Sequence, residues 1–364
     1  MKRFLLLLLT LLCFQSACTQ ALQVQEPGYQ LTDLQNSFAQ DRINSQIAEA
    51  TAPEAIFARY RLMPGTQHEL IFGDHRLHQA GEPRVLSLVV QVKTNLKIER
   101  FTLMFDLLTG EKILPDALFL DKTAAQDFVD EWVQTHLERD EYTYLHVDGL
   151  LPVPLENFYL TEYGIAVDYP FDSYHLFTQE AGGYRYYFPE LKDILNLTEN
   201  SLLSSLDEVQ AGLGLSDNAD RLAALLSEGR LPGVPEVMGM KVDDLIEQYG
   251  ELTDSELFLY RERYVLAKPE FRDIHVVVGQ EDDLIQGIYA RRMNLNGIMV
   301  GESGEEEIVK VFGEHSGKLP LDEQMAQLYA MQPGSILSYS FGDCQLMLNL
   351  DAEGILRTVY LSRN

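Results

Sequence analysis

Three histidines set close together, His68, His75 and His78, with Glu69 and Asp74 among them, form the densest run of metal-ligating side chains in the sequence. A helical zinc pair needs histidines at i and i+4 with a glutamate between them, and Phe72 stands where the second histidine belongs. The run therefore reads as a polar loop, and no metal and no cofactor are expected. Glu305-Glu306-Glu307 and Asp282-Asp283 offer oxygens suited to calcium, but no EF-hand-like spacing accompanies them, so they read as solvated faces. Carboxylates are abundant enough to supply a glycosidase pair, whose requirement, two of them across one scissile bond, is three-dimensional. No Gly-x-Ser-x-Gly elbow marks a serine nucleophile. Tyr184-Arg185-Tyr186-Tyr187-Phe188 could stack on a sugar, yet aromatics in a strand more often pack a core and their cross-strand neighbours. No catalytic residue is assigned, and the chain is read as a protein that is not an enzyme.

The elements that would position such residues are bounded by length and composition. The 364 residues are enough for about two or three folded units, at roughly 100–200 residues each. The formal charge of −28, from 28 basic and 56 acidic residues, excludes nucleic acid as a partner, because phosphate binding needs basic clusters. A hydrophobic content of 46% with 23% charged residues is near the globular average, which excludes disorder over most of the length.

Lys2 and Arg3 precede the apolar run Phe4–Phe14, the n-region and short h-region of a secretory signal. The run is too short for a mature spanning helix. Phe14-Gln15-Ser16-Ala17-Cys18 then resembles the lipobox of bacterial lipoproteins, although Gln15 stands where that family carries Leu, Val or Ile. The resemblance implies lipidation of Cys18 and a membrane held through an N-terminal lipid. The alternative is plain cleavage after Ala17 and secretion. Cys344 is then the one cysteine inside the folded part, and no disulfide is expected.

Thr19–Tyr29 is polar and aperiodic, as a tether would be. Thr32-Asp33-Leu34-Gln35 reads as a capping box opening an amphipathic helix that ends near Thr51-Ala52-Pro53. Val85–Lys93 and Glu99–Leu107 read as antiparallel strands around Thr94-Asn95. A second box, Thr123-Ala124-Ala125-Gln126, starts a helix whose Trp132 is a core residue. Phe158–Tyr169 reads as a strand pair about Tyr163-Gly164, Ser201–Gly229 as helical, and Leu231-Pro232-Gly233-Val234-Pro235 as the clearest boundary. Beyond it Asp243–Glu251 recurs as Glu306–Glu314, and Leu284–Tyr289 recurs as Ile355–Tyr360. Helices and strands alternate without a βαβ rhythm, so the expected class is α+β: a mixed helix and antiparallel-sheet N-terminal domain plus two small helix-plus-antiparallel-sheet repeats. The expected divisions are 1–17 signal, 18–28 tether, 29–198 first domain, 199–235 helical linker, 236–294 first repeat and 295–364 second repeat.

Residues 29–195 resemble the extracellular domain of RsiV-type anti-sigma factors, a module shared with peptidoglycan deacetylases. Asn36, Gln40 and Arg42–Ile47 are similar to its opening helix, and Phe105–Lys112 with Leu118-Phe119 to its Asp, Thr-Gly-Lys, Leu-Phe segment. Phe158–Ile165, Tyr174, Ala181-Gly182 and Pro189–Leu195 follow its closing strands. Relatives carry a Gly-Gly-Ala-His-like segment where this chain has Val92–Lys97. The tandem repeats resemble units of BamE-type lipoproteins and of the beta-lactamase inhibitor protein. These resemblances imply binding: RsiV-type receptors recognise lysozyme, and an acidic ectodomain would attract such a cationic partner, although solubility explains the charge equally well. The expected protein is therefore an extracytoplasmic, lipid-anchored, non-enzymatic binder of a cell-envelope ligand, a lysozyme-like cationic protein or peptidoglycan. The alternatives are a cell-wall hydrolase or deacetylase, or its accessory, and a structural envelope-assembly lipoprotein.

Overall fold

The computed structural model describes residues 28–63, 65–137, 147–171, 173, 182–216, 219–249, 252–258, 261–266, 273–279 and 283–363. The signal, Cys18 and nearly all of the expected tether lie outside them. The fold is α+β, as the absence of a βαβ rhythm implied. Among the described residues, no helix is long and apolar enough to cross a membrane.

Helix α1 (Ser37–Thr51) opens at Asn36, whose side chain accepts from the Ala39 N–H at 3.2 Å. The Thr32 box is therefore not the cap; Asn36 competes better because Gln40 turns back to accept from the Leu34 N–H. Pro53 opens helix α2 (Pro53–Tyr60) at a position where a missing N–H costs nothing. Strands β1 (His68–Gln79), β2 (Glu82–Thr94), β3 (Ile98–Asp106) and β4 (Lys112–Ile113) form an antiparallel sheet in that order. His68–His78 is thus not a loop. On the edge strand β1, Glu69, Ile71 and Gly73 are exposed and alternate with half-buried His68, Leu70 and Phe72, but an isoleucine on the exposed face blurs the sequence pattern that marks a strand. Ile43, Ile47 and Ile56 pack on one face of this sheet with Leu86, Leu88, Val90, Phe101 and Phe105.

The other face meets a second antiparallel sheet made of β5 (Phe158–Thr161), β6 (Gly164–Asp168) and β7 (Gly183–Tyr187), with β5 against β1, β2 and β3. Helix α3 (Lys122–Leu137) is capped by Asp121, which accepts from the Ala124 N–H at 2.8 Å, rather than by Thr123. Its Trp132 lies 5.0 Å from Tyr186 and 5.4 Å from Tyr184, ring centroid to centroid, and joins the core. The expected long helical stretch from Ser201 is instead two short helices, α4 (Asp207–Gly212) and α5 (Ala219–Ser227). Gly214, at φ 68°, takes the chain out of the first.

Helix α6 (Val242–Tyr249) precedes β8 (Leu252–Phe258), β9 (Arg261–Leu266), β10 (Ile274–Val278) and β11 (Ile285–Ala290). A short hairpin, β12 (Asn294–Leu295) and β13 (Ile298–Met299), leads to helix α7 (Glu305–Phe312) and β14 (Gly317–Leu321). Helix α8 (Glu323–Leu328), β15 (Gly334–Phe341), β16 (Cys344–Leu350) and β17 (Leu356–Arg363) complete the chain. The long strands share one sheet in the order β14-β15-β16-β17-β11-β10-β9-β8, so the last strands of the two halves pair at its centre. There Tyr289 stands opposite Tyr360. The halves match bond for bond at several points. Ile285 N–H donates to Met240 as Leu356 N–H donates to Ser303, and the bridge Lys241–Leu284 has its counterpart in Gly304–Ile355. The bulge at Val277/Val278 likewise corresponds to that at Asn349/Leu350. Helix α8 follows β14 in the second half, capped by Asp322, which accepts from the Met325 N–H at 2.8 Å.

Cys344 is fully buried with its thiol 3.9 Å from the Ser227 carbonyl. A maleimide reagent is expected to leave Cys344 unmodified in the native chain and to label it in denaturant, read by mass spectrometry. Labelling at equal rates in both states would contradict this packing.

Candidate functional site

The β5–β6 turn presents Glu162 and Tyr163, and helix α4 presents Glu208 and Ala211, to a cleft whose far walls come from α5, Pro232 and the β12 hairpin. Its internal volume is about 50 Å³, and its remaining lining includes Arg221, Leu222, Leu225, Asn294 and Asn296. Each carboxylate is held from β1. His75 Nδ1 lies 2.8 Å from Glu162 Oε2, and His78 Nδ1 lies 2.8 Å from Glu208 Oε1. The β-bulge between Leu77 and His78 lets two histidines three residues apart serve different partners.

Glu208 is almost completely buried and fully occupied. It accepts from the His78 backbone N–H at 2.8 Å and pairs with Arg221 at 3.3 Å. Its neighbour Asp207 accepts from the Ala80 and Gly81 N–H groups, so α4 caps the β1–β2 turn. Arg221 itself keeps about half of its side chain in solvent. Glu162 is different. Burial alone pushes its carboxyl up, but the hydrogen bond and charge of His75, a backbone hydrogen bond and the charge of Arg185 together hold it below the ordinary value. It is therefore ionised throughout the neutral range, which suits an acceptor of cations and hydrogen bonds and disfavours a general acid. Tyr163 is pushed up by burial and by Glu162, against the opposing charges of Arg221, Arg230 and Arg185.

A depressed folded-state carboxyl gives stability that is present above the unfolded value, near 4.5, and is lost as pH falls through the folded one. Replacing His75 by Phe removes the main lowering influence and leaves the burial. The Glu162 carboxyl is then expected to titrate at higher pH, measured by carbon NMR of the side chain, with acid unfolding beginning earlier. An unchanged Glu162 titration would contradict the assignment of His75 as its partner.

Two contacts fix the far walls. Arg185 on β7 donates to the Gly233 carbonyl at 2.5 Å, beside Pro232. Glu190 receives Arg292 through both oxygens, at 2.8 and 2.5 Å, two residues before Asn294. Asn294 in turn donates to the Gly212 carbonyl and accepts from the Gly297 N–H, both at 2.8 Å, joining the hairpin to α4.

The expected site residues fare unequally. Cys18 lies outside the described residues. His68 packs edge-on against Phe57, with its ring 3.4 Å from the Thr66 carbonyl, and Asp74 pairs with Arg76. The histidines are therefore not brought to one point, and among the described residues no group of three His, Cys, Asp or Glu side chains is placed to hold a metal. Glu305 pairs with Lys318 and Glu307 accepts from the Gly304 N–H, so the acidic run caps its helix. Asp283 occupies a positive-φ turn, and Asp282 lies outside the described residues. Tyr184, Tyr186 and Tyr187 are buried, which takes the Tyr184–Phe188 run into the core rather than to a surface. Sequence reasoning missed Glu162, Glu208, Arg221 and Asn294, whose partners lie far along the chain and form no motif.

No family model matches the chain, and no curated protein matches it. Solved structures do resemble parts of it. A DUF4309 family protein from Bacillus subtilis aligns with 40% of this chain and 95% of its own, at 12% identity and a TM-score of 0.28. A DUF3298 family protein from Pseudomonas aeruginosa aligns with 43% of this chain and 79% of its own, at 12% identity and a TM-score of 0.29. An extracellular protein containing a SCP domain from Bacillus anthracis aligns over 36% of this chain, at 15% identity and a TM-score of 0.26; the match spans 45% of that protein. At such identities and scores the likenesses carry no argument about activity.

Proposed function

We propose that this chain is a lipid-anchored, extracytoplasmic binding protein of the bacterial cell envelope, whose ligand is peptidoglycan or a lysozyme-like cationic protein. The observation that carries the reading is the cleft, which an ionised Glu162 lines together with Arg221, Asn294 and Asn296. Such groups orient a polar ligand without a nucleophile and base being paired in the same place. The charge of −28 favours encounter with a basic partner. The signal-like run Phe4–Phe14 and the lipobox-like Phe14–Cys18 support that location.

Equilibrium binding of the full-length chain to lysozyme and to soluble peptidoglycan fragments tests the ligand. Saturable binding to one of them, above that of an acidic protein of matched charge, is expected. Binding equal to that control for both would remove the reading. Lipid labelling tests the anchor, with label expected on the native chain and lost in Cys18→Ala; an unlabelled native chain would remove the anchor alone.

A further inference from the structure

Glu162 and Arg221, of opposite charge, line the same cleft as several apolar side chains. Glu162 uses Oε2 for His75, and a carboxylate has acceptor sites to spare on its other oxygen. Arg221 gives Nη1 to Glu208, lines the cleft and keeps about half of its side chain in solvent, so its guanidinium has further donors for a ligand. Leu222, Leu225 and Pro232 line the space with hydrocarbon. A volume of about 50 Å³ is room for about four waters, the bulk of a small head group rather than of a sugar ring. Asn294 spends both of its amide atoms on the protein, which leaves the charged pair to read the ligand.

We propose that this cleft binds an α-amino-acid head group, with the ammonium on Glu162, the carboxylate on Arg221 and a short aliphatic side chain against Leu222, Leu225 and Pro232. The proposal rests on the reading of the chain as a binding protein and names the ligand chemistry of that same cleft. A ligand with one charge leaves Glu162 with His75 alone or Arg221 with Glu208 alone, so it is expected to bind more weakly than one that meets both.

The test is titration calorimetry of the full-length chain with alanine, N-acetylalanine and alaninamide. Alanine is expected to bind about ten-fold or more tightly than either singly charged analogue. Glu162→Gln is expected to abolish the preference over N-acetylalanine, and Arg221→Gln the preference over alaninamide. The analogue series on the native chain stands even if a variant fails to fold. Absence of alanine binding, or equal binding of all three, would overturn the proposal. Alanine binding without any binding of lysozyme or wall fragments would keep the site and remove the envelope reading; the reverse would keep that reading and remove the site.

Discussion

Arg292→Ala is expected to cost about 3–5 kcal/mol of folding stability, the usual loss when one partner of a buried ion pair is deleted. Arg292 grips both oxygens of Glu190 and donates to the Arg185 carbonyl at 2.8 Å. Its guanidinium lies 5.2, 5.0 and 4.9 Å from the ring centroids of Trp132, Tyr184 and Tyr187. Burial works against its charge, but Glu190, Tyr184 and Asp273 together hold it protonated more firmly than a free arginine. Alanine would leave Glu190, about one-tenth exposed, without its cation, and leave a void among three rings. Denaturant unfolding measures the loss. Arg292→Met with Glu190→Gln is expected to recover much of it, because no buried charge is then stranded. A loss below about 1 kcal/mol for the single change would place the pair in the surface class.

Gly164→Ala is expected to be the next most damaging change, at about 3 kcal/mol. A Cβ there would sit 2.1 Å from the Tyr186 carbonyl oxygen and 3.0 Å from its carbon, both backbone atoms of the paired strand. Relief requires β6 and β7 to separate, and Gly164 pairs with Tyr187 at the end of that ladder. Separation also moves the turn that carries Glu162 and Tyr163. The variant should therefore unfold at lower denaturant and lose ligand binding at the cleft. Native-like stability would mean that the strands lie farther apart than described.

Much of the architecture was legible because it rests on local chemistry. Val85–Lys93 and Glu99–Leu107 carried β-branched runs broken by Thr94-Asn95, and β2 and β3 lie there in antiparallel register. Trp132 was assigned to the core from the apolar face of its helix, and it is there. Helix starts were less legible, since Asn36 and Asp121 took roles that Thr32 and Thr123 could equally have filled. Strand β1 was hidden because the exposed Ile71 breaks the apolar alternation in the sequence, and the burial pattern itself breaks at Asp74 and again at the bulge before His78. The cleft was not legible at all. Glu162 and His75 are 87 positions apart, and Glu208 and His78 are 130 apart. Such pairs follow from how sheets and helices dock, which no local spacing encodes.

An envelope ligand held in the cleft that Glu162 and Arg221 line is the proposal on which the rest depends. Its most direct test compares binding isotherms of the native full-length chain and of Glu162→Gln, against peptidoglycan fragments and lysozyme, at low and near-physiological salt. Saturable binding of one ligand is expected that survives near-physiological salt and is weakened by the loss of the Glu162 charge, since contacts in a partly buried cleft are screened less than those between surface charges. Binding that disappears as salt is raised, or that Glu162→Gln leaves unchanged, would contradict it.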